Sequence, residues 1–404
     1  MKTKPVFLLI SLLFSGVMIP QAARAALEVH EWGTFTVLQG ADGSTLRWYL
    51  PAEDQFKLPA FVHRRNLLGQ KALADGRALA RMETPVIYFY PDKEMNVAVK
   101  AALPSGALSE WFPDALKQEP LTSQRNPQGL QWIGRLLPPG SPVAAEIPIT
   151  ADAAGQHYGE ARKVPEAWLF QSGLPMANGK AAEIDRILFY RGAADLTMPV
   201  FVKALAEDRL ELQNIGPSEI KTLYAVQASG ERLAWSRLEG LDPQEYVEGR
   251  NLSTKTFTFS QAGSRETEIP ALRRDMVQSL VREGLTAAEA AAMVATWRDI
   301  WFGETGTRVF AVLPTAWVDK QVPLQISPAP EKTVRVYVAR LEILTPGREQ
   351  GLSDLLSGKE PVETAAARLK TLDLGRFTEG ALGRAQQLQS AYLANRLREL
   401  KAIK

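Results

Sequence analysis

The sequence predicts an α+β protein, with an antiparallel β sandwich or barrel-like part in front and a mainly helical part packed on it behind. Three observations carry this. Residues 26–264 consist of short apolar or alternating runs punctuated by Gly, Pro, Asn and Asp, residues 265–404 switch to helical spacing, and residues 1–25 read as a leader outside the fold.

The leader combines Lys2 and Lys4, an apolar run from Val6 to Ile19 and the small-x-small triplet Ala23-Arg24-Ala25. That is the pattern of a cleavable signal peptide, so the mature chain is expected to begin at Ala26 and to be soluble in the periplasm or outside the cell. The run falls short of the roughly 20 apolar residues that a spanning helix needs. No later segment offers such a run, and with no cysteine there is no lipidation site, disulfide, thiolate metal site or cysteine nucleophile. Loss of Lys2, Lys4 and Arg24 from the 47 basic residues leaves 44 against 45 acidic ones, a balance that speaks against nucleic acid or an anionic membrane as partner. At 46% hydrophobic composition the chain is long enough to bury one or two cores.

Strand-like runs are 45–50 (TLRWYL), 84–90 (TPVIYFY), 96–101 (NVAVKA), 186–192 (RILFYRG), 199–205 (PVFVKAL), 221–227 (KTLYAVQ) and 254–259 (TKTFTF). Asp42-Gly43 favours a tight hairpin and Pro91-Asp92 a turn. Beyond residue 264, Pro270 suits a first helical turn, Leu272, Met276 and Leu280 recur at helical spacing, and Gly284 ends the segment. Thr286 and Glu289 form a potential capping box for a second helix, whose Met293, Val294, Trp297 and Trp301 make an apolar stripe suited to core packing. Residues 307–314 read as a strand. Residues 331–344 fit both periods; the prolines before them and the TPGRE start after them favour a helix. Glu379 to Lys404 forms an amphipathic helix with a basic end.

The stretch 29-VHEWGTFTV-37 poses the chemical question. Alternation in a strand puts Glu31 with Val29, Phe35 and Val37, and His30 with Trp32, Thr34 and Thr36. A carboxylate on the apolar face needs a partner. Glu83 falls with Ile87 and Phe89 in its own run, and Arg191 with Ile187 and Phe189, so these three charges are expected to satisfy one another, with Arg81 as a further cation for Glu31. Such a network is a structural ion cluster or a polar pocket with tuned carboxylates.

The histidines are His30, His63 and His157, none at metal-ligand spacing. His30 and His157 are the candidate ligands of a mononuclear metal site with a distant carboxylate; His63, in a basic stretch, reads as a solvated turn. GxSxG, Walker A and GxGxxG motifs are missing, and no cofactor is assignable. Trp32, Trp48, Tyr49, Trp111 and Trp132 suit core or half-buried sheet positions better than a sugar or peptide groove.

The blocks 30-HEWGTFT-36, 82-METPVIYFY-90, 157-HY-158, 188-LFYRG-192, 293-MVATWRDIWF-302 and 340-RLEILTP-346 resemble, in order and spacing, a family of exported bacterial proteins that open with HEWGTFT. The resemblance covers nearly the whole mature chain. It implies one shared architecture, with His30, Glu31, Trp32, Glu83, His157 and Arg191 inside its recurring blocks, and transfers no catalytic role. Two functions follow as expectations. One is an exported protein that binds a ligand or envelope partner through its β-rich part. The other is a metal-assisted hydrolase in which His30 and His157 are ligands or bases, Glu31 or Glu83 the acid or base, and Arg191 the anion-stabilising group.

Overall fold

In the computed structural model, the described residues are 26–49, 59–64, 77–118, 129–149, 156–173, 182–238, 240–243, 245–247, 250–251 and 254–402. The expected leader lies outside them. The fold is mixed α+β, with 42% strand and 29% helix.

Its spine is an eleven-stranded sheet. From one edge the order runs Gly263–Ser264, Arg232–Leu238, Leu223–Ser229, Gly306–Leu313, Lys332–Ile343, Leu27–Gln39, Ala80–Pro91, Leu188–Ala194, Gly106–Phe112 and His63–Arg64; Thr45–Leu46 also pairs with Leu27–Gln39. All its pairings are antiparallel but one. The strand Leu27–Gln39 runs parallel to Lys332–Ile343, in register from Glu28 opposite Lys332 to Gln39 opposite Ile343.

This corrects the expected helix at residues 331–344. Within residues 26–264 the described pairings are antiparallel, but the sheet extends beyond that part, because residues 332–343 form a central strand rather than a helix and add the parallel pairing. Val334, Val336 and Val338 are β-branched and suit a pleated surface. Because the strand is buried on both faces, Tyr337, Ala339 and Leu341 fill positions between and beyond the alternating valines, and a helical face fits the run as well as the period of two does. Helices do begin at residue 265, but the strands Gly306–Leu313 and Lys332–Ile343 carry the main sheet across that point. No closed barrel forms among the described residues.

Two cores flank the sheet. Val29, Phe35 and Val37 face a core shared with a six-stranded sheet, through Val97, Leu130 and Trp132, and with the three-stranded sheet Val200–Ala206, Arg209–Asn214 and Thr254–Thr258, through Val202 and Leu212. Trp32, Tyr88, Val336 and Val338 face a second core roofed by helices Gln156–Ala161, Arg265–Arg282 and Ala287–Thr296. Trp297 and Trp301 are buried in this roof, as their spacing suggests. A third cluster joins Leu38 and Trp48 to the C-terminal helices through Leu352 and Phe377.

Local signals explain the element ends. Gly43, at φ +85°, turns the chain so that Leu38 and Gln39 pair with Leu46 and Thr45. Thr286 accepts from the Glu289 N–H while Glu289 reaches back to the Thr286 N–H, completing the capping box. The preceding helix starts earlier than Pro270 suggests: Ser264 caps it by accepting from the Thr267 N–H, and Pro270 lies inside. Gly284, at φ +112°, ends the segment. Among the described residues, no helix is long and apolar enough to cross a membrane.

Candidate functional site

The HEWGTFT stretch is the middle of the central strand, and each face ties it to a distant part of the chain. On the first face, Glu31 is fully buried. Its Oε2 accepts from Arg335 Nε at 2.7 Å and meets Nη2 at 2.6 Å, while Oε1 accepts from the Tyr190 hydroxyl at 2.5 Å. Arg335 spends its remaining N–H groups on Asp319 at 2.7 Å and the Val322 carbonyl at 2.8 Å. Tyr337 lies against Tyr190, 3.2 Å between hydroxyls. Burial and the Glu31 charge push both phenols well above the ordinary tyrosine range. Burial alone would lower the Arg335 guanidinium, but Glu31 raises it above its usual value.

Arg335 thus replaces both expected partners of Glu31, Arg191 and Arg81. Glu31 is paired with residue 335 directly across the parallel ladder, a contact open only to a strand. Gly33 faces Tyr337 in the same ladder, and a Cβ there would come within 2.6 Å of the ring, so only glycine fits.

The opposite face carries His30, 4% exposed. Its Nδ1 lies 2.8 Å from Glu289 and its Nε2 2.7 Å from Glu28. Tyr90 donates to the other Glu289 oxygen at 2.6 Å, and the Thr286 N–H donates to Glu289 at 2.7 Å. Lys332 pairs with Glu28. Burial would lower the imidazole pKa, but the two carboxylates outweigh it and raise it; His30, Tyr90 and the Thr286 N–H together lower Glu289 against the effect of burial. Trp32, fully buried, donates to the Tyr88 hydroxyl at 3.2 Å, and Tyr88 donates to the Ala161 carbonyl at 2.7 Å.

Glu83 shares this face, not that of Ile87 and Phe89. Between Trp32 and Thr34 the register on Ala80–Pro91 shifts, and Thr84 there has φ +43°. The extra residue inverts the alternation, so Ile87 stands opposite Glu31 while Glu83 stands opposite Thr34. Glu31 and Glu83 are therefore on opposite sides of the sheet. Thr36 donates to Glu83 at 2.6 Å, Arg376 pairs with it, and Arg81 Nε is 3.8 Å away. Burial opposes ionisation of Glu83, but Arg376 and Arg81 hold it down at about 2. Arg191 keeps the predicted face and donates to Thr84 Oγ1 at 2.7 Å.

The same face ends in a cluster that sequence reading missed. Arg308 and Arg340, both fully buried, converge on Glu342: Arg340 Nη2 donates at 2.9 Å and Arg308 Nε lies 3.1 Å away. Burial, only partly offset by Glu342, brings Arg308 down to about 10. Arg335, Arg340 and Glu342 all lie on the segment expected to be helical, so their inward positions could not be read until it was seen as a strand.

His157 is not brought to His30. His30 meets the first turn of Ala287–Thr296 at Glu289, whereas His157 Nδ1 meets the Thr296 carbonyl at its last residue, 2.7 Å away, with the ring stacked on Trp297. Seven residues of helix put these ends about 10 Å apart. Among the described residues, no three His, Asp or Glu side chains converge as metal ligands. His63 is part of a short edge strand rather than a solvated turn; it lies 2.9 Å from Glu183 and stacks on Phe112.

Clefts lie away from these residues. A cavity of about 150 Å³, lined by Leu212, Leu223, Leu238, Leu241 and Phe257 with Lys255 and Thr256, opens at the seam between the three-stranded sheet and the main sheet. Leu238 also lines an adjoining groove of about 440 Å³ that presents Lys221, Arg237 and Arg282. A third cleft, of about 250 Å³, is bounded by Met198, Pro199, Pro217 and Trp317.

No protein-family model matches the sequence, and no curated protein matches it. Among solved structures, the chain is similar to the mu-homology domain of Fcho1 from Danio rerio with a bound Eps15 peptide, at 7% identity and a TM-score of 0.30, over 79% of this chain and 97% of that one. The yeast delta-COP-I mu-homology domain complexed with a Dsl1 WxWxV peptide is similar at 6% identity and a TM-score of 0.26, over the same shares of the two chains.

Proposed function

We propose that this is an exported binding protein, taking its ligand in a surface cleft of the β-rich part, and that the HEWGTFT residues hold the fold. One observation carries the reading: the polar groups expected to perform chemistry are already engaged. Both ring nitrogens of His30 face carboxylates, both oxygens of Glu31 are bound, and Glu83 is held by Arg376 and Thr36. A general base or a metal ligand needs a lone pair open to its substrate or ion. The leader pattern of residues 1–25 supports export.

The test is Glu31→Gln, read on two axes. On the binding reading its melting temperature falls, while any ligand bound by the wild type is still bound by the folded fraction. An unchanged melting temperature with loss of an activity would make Glu31 a site residue and favour the hydrolase. Stoichiometric zinc, iron or manganese in purified mature protein would do the same. Export is tested by the mass of the mature chain, expected to begin at Ala26.

A further inference from the structure

We propose that the seam beside Leu238 is a ligand site for a small apolar carboxylate: a group the size of one phenyl ring or leucine side chain, carrying a carboxylate a few bonds away. A short aryl or alkyl acid has this chemistry, and so does the C-terminal residue of a peptide. The inference rests on the binding reading above and names its ligand class.

The cavity sets the apolar part. Leu212, Leu223 and Leu241, each at most 2% exposed, form its apolar wall with Leu238 and Phe257, and the exposed Lys255 and Thr256 complete the lining. An apolar cavity of about 150 Å³ stays dry and accepts benzene. This one has the same volume, so it takes a ring or a branched four-carbon chain and has no room for a long acyl tail. The wall is fixed on both sides. Ile220 and Leu241 exchange backbone hydrogen bonds at 3.0 and 2.9 Å, and Lys255 of the three-stranded sheet donates to the Gly240 carbonyl at 2.7 Å.

The groove sets the polar part. It begins where the cavity ends, at Leu238, and its described lining is Lys221, Thr222, Arg237, Gly240 and Arg282, three cations with a hydroxyl and a glycine. Two nearby acids are turned to other partners, Asp275 accepting from Tyr224 at 2.5 Å and Glu283 from Thr222 at 3.0 Å, while Glu219 lies beside Gly240 at the groove's end. Arg237 is 47% exposed, and its ion pair with Asp275 is 3.6 Å long, beyond hydrogen-bonding distance, so its fork can turn to an incoming carboxylate. A neutral ligand would fill the cavity equally well but leave the cationic rim unused. The selectivity for acids therefore comes from the groove.

The experiment is calorimetric titration of the mature protein with 4-phenylbutyrate and with N-acetyl-glycyl-phenylalanine, against 4-phenylbutan-1-ol, the amide of the same dipeptide, and palmitate. Both acids are expected to bind, with the neutral analogues weaker by about tenfold or more, as for loss of a charged hydrogen bond. Palmitate is expected not to bind. A dipeptide acid tighter than phenylbutyrate by about tenfold would identify a peptide C-terminus as the source; the reverse order would identify a free acid.

Two variants at exposed positions test the place. Lys221→Gln with Arg237→Gln should weaken both acids by about tenfold or more, and Thr256→Trp, which closes the cavity mouth, should abolish binding. Both should keep the wild-type melting temperature. Equal affinity for the alcohol and the acid overturns the proposal, as does binding untouched by both variants, which would put the acids elsewhere and leave the binding reading standing. Absence of acid binding overturns it too, and a screen of other small molecules then decides whether the binding reading survives.

Discussion

The two faces of the strand Leu27–Gln39 solve the same problem in different ways. Each carries a buried charge from adjacent positions of one motif, and each uses it to tie the strand to a segment some 260 to 300 residues away. Glu31 is matched by a guanidinium that keeps its proton at any pH at which proteins fold, and its partner Arg335 is closed off by Asp319 and Val322. His30 is matched by carboxylates, one of them the partly exposed Glu28, and its own charge is conditional. The cation of the first lock does not titrate near neutral pH; the cation of the second does.

The largest break is on the Glu31 face. Arg335→Met leaves Glu31 buried without its cation, and breaking such a pair typically costs about 3–5 kcal/mol. Equilibrium urea unfolding measures it; a loss below about 1 kcal/mol would mean that water or Tyr337 already carries the charge, as at a surface pair. Adding Glu31→Gln to that variant should recover part of the loss, because the orphaned charge rather than the missing contact dominates.

A smaller break lies between the faces. Gly33→Ala places a methyl group 2.6 Å from the Tyr337 ring. Overpacking of this kind costs about 1–3 kcal/mol. The same change in a Tyr337→Ala background should cost less; equal costs in the two backgrounds would locate the strain in the backbone instead.

How far these locks could be read from the sequence follows from the same contrast. Alternation alone put Glu31 among apolar residues and required a partner for it, and a Thr-x-x-Glu spacing was enough to place the capping box. The identity of the partners was out of reach. Arg335 faces Glu31 only if residues 332–343 are a strand parallel to the first, and in a strand buried on both sides the polar-apolar alternation that would announce it is lost. The placement of Glu83 failed for a different reason: one bulge residue at Thr84 inverts the faces, and a non-glycine residue in that conformation leaves no trace in composition. Glu289 was legible as a cap but not as the partner of His30, since one carboxylate serves both.

A third break isolates the cap from the histidine. Thr286→Ala removes the hydroxyl that accepts from the Glu289 N–H, and loss of such a cap costs about 1 kcal/mol. It leaves the His30–Glu289 contact in place. Thermal unfolding at pH 6 should therefore show a modest loss, whereas a loss as large as that of Arg335→Met would mean that the cap also positions Glu289 for His30.

The smallest effect, and the one that separates the two locks most cleanly, is a dependence on pH. The carboxylates of Glu289 and Glu28 raise the folded-state pKa of His30 above its ordinary 6.5. The folded state then holds the proton more tightly than the unfolded chain, so this contribution is fully present below pH 6.5 and disappears as the pH rises through the higher folded value. Glu289 is shifted the other way, and its contribution is present above the ordinary 4.5 and lost as acid drives the pH down through its lowered folded value. The His30 lock is thus strongest in mildly acidic solution and weakens on the alkaline side. The Glu31 lock has no alkaline limb below the pKa of its arginine. Unfolding free energies measured from pH 6 to 9 should fall faster for the wild type than for His30→Gln, and the slope should persist in Arg335→Met. Parallel profiles for the wild type and His30→Gln would mean that His30 binds its proton equally well in the folded and unfolded chains, and a wild-type profile that rises relative to His30→Gln would mean that burial outweighs the two carboxylates.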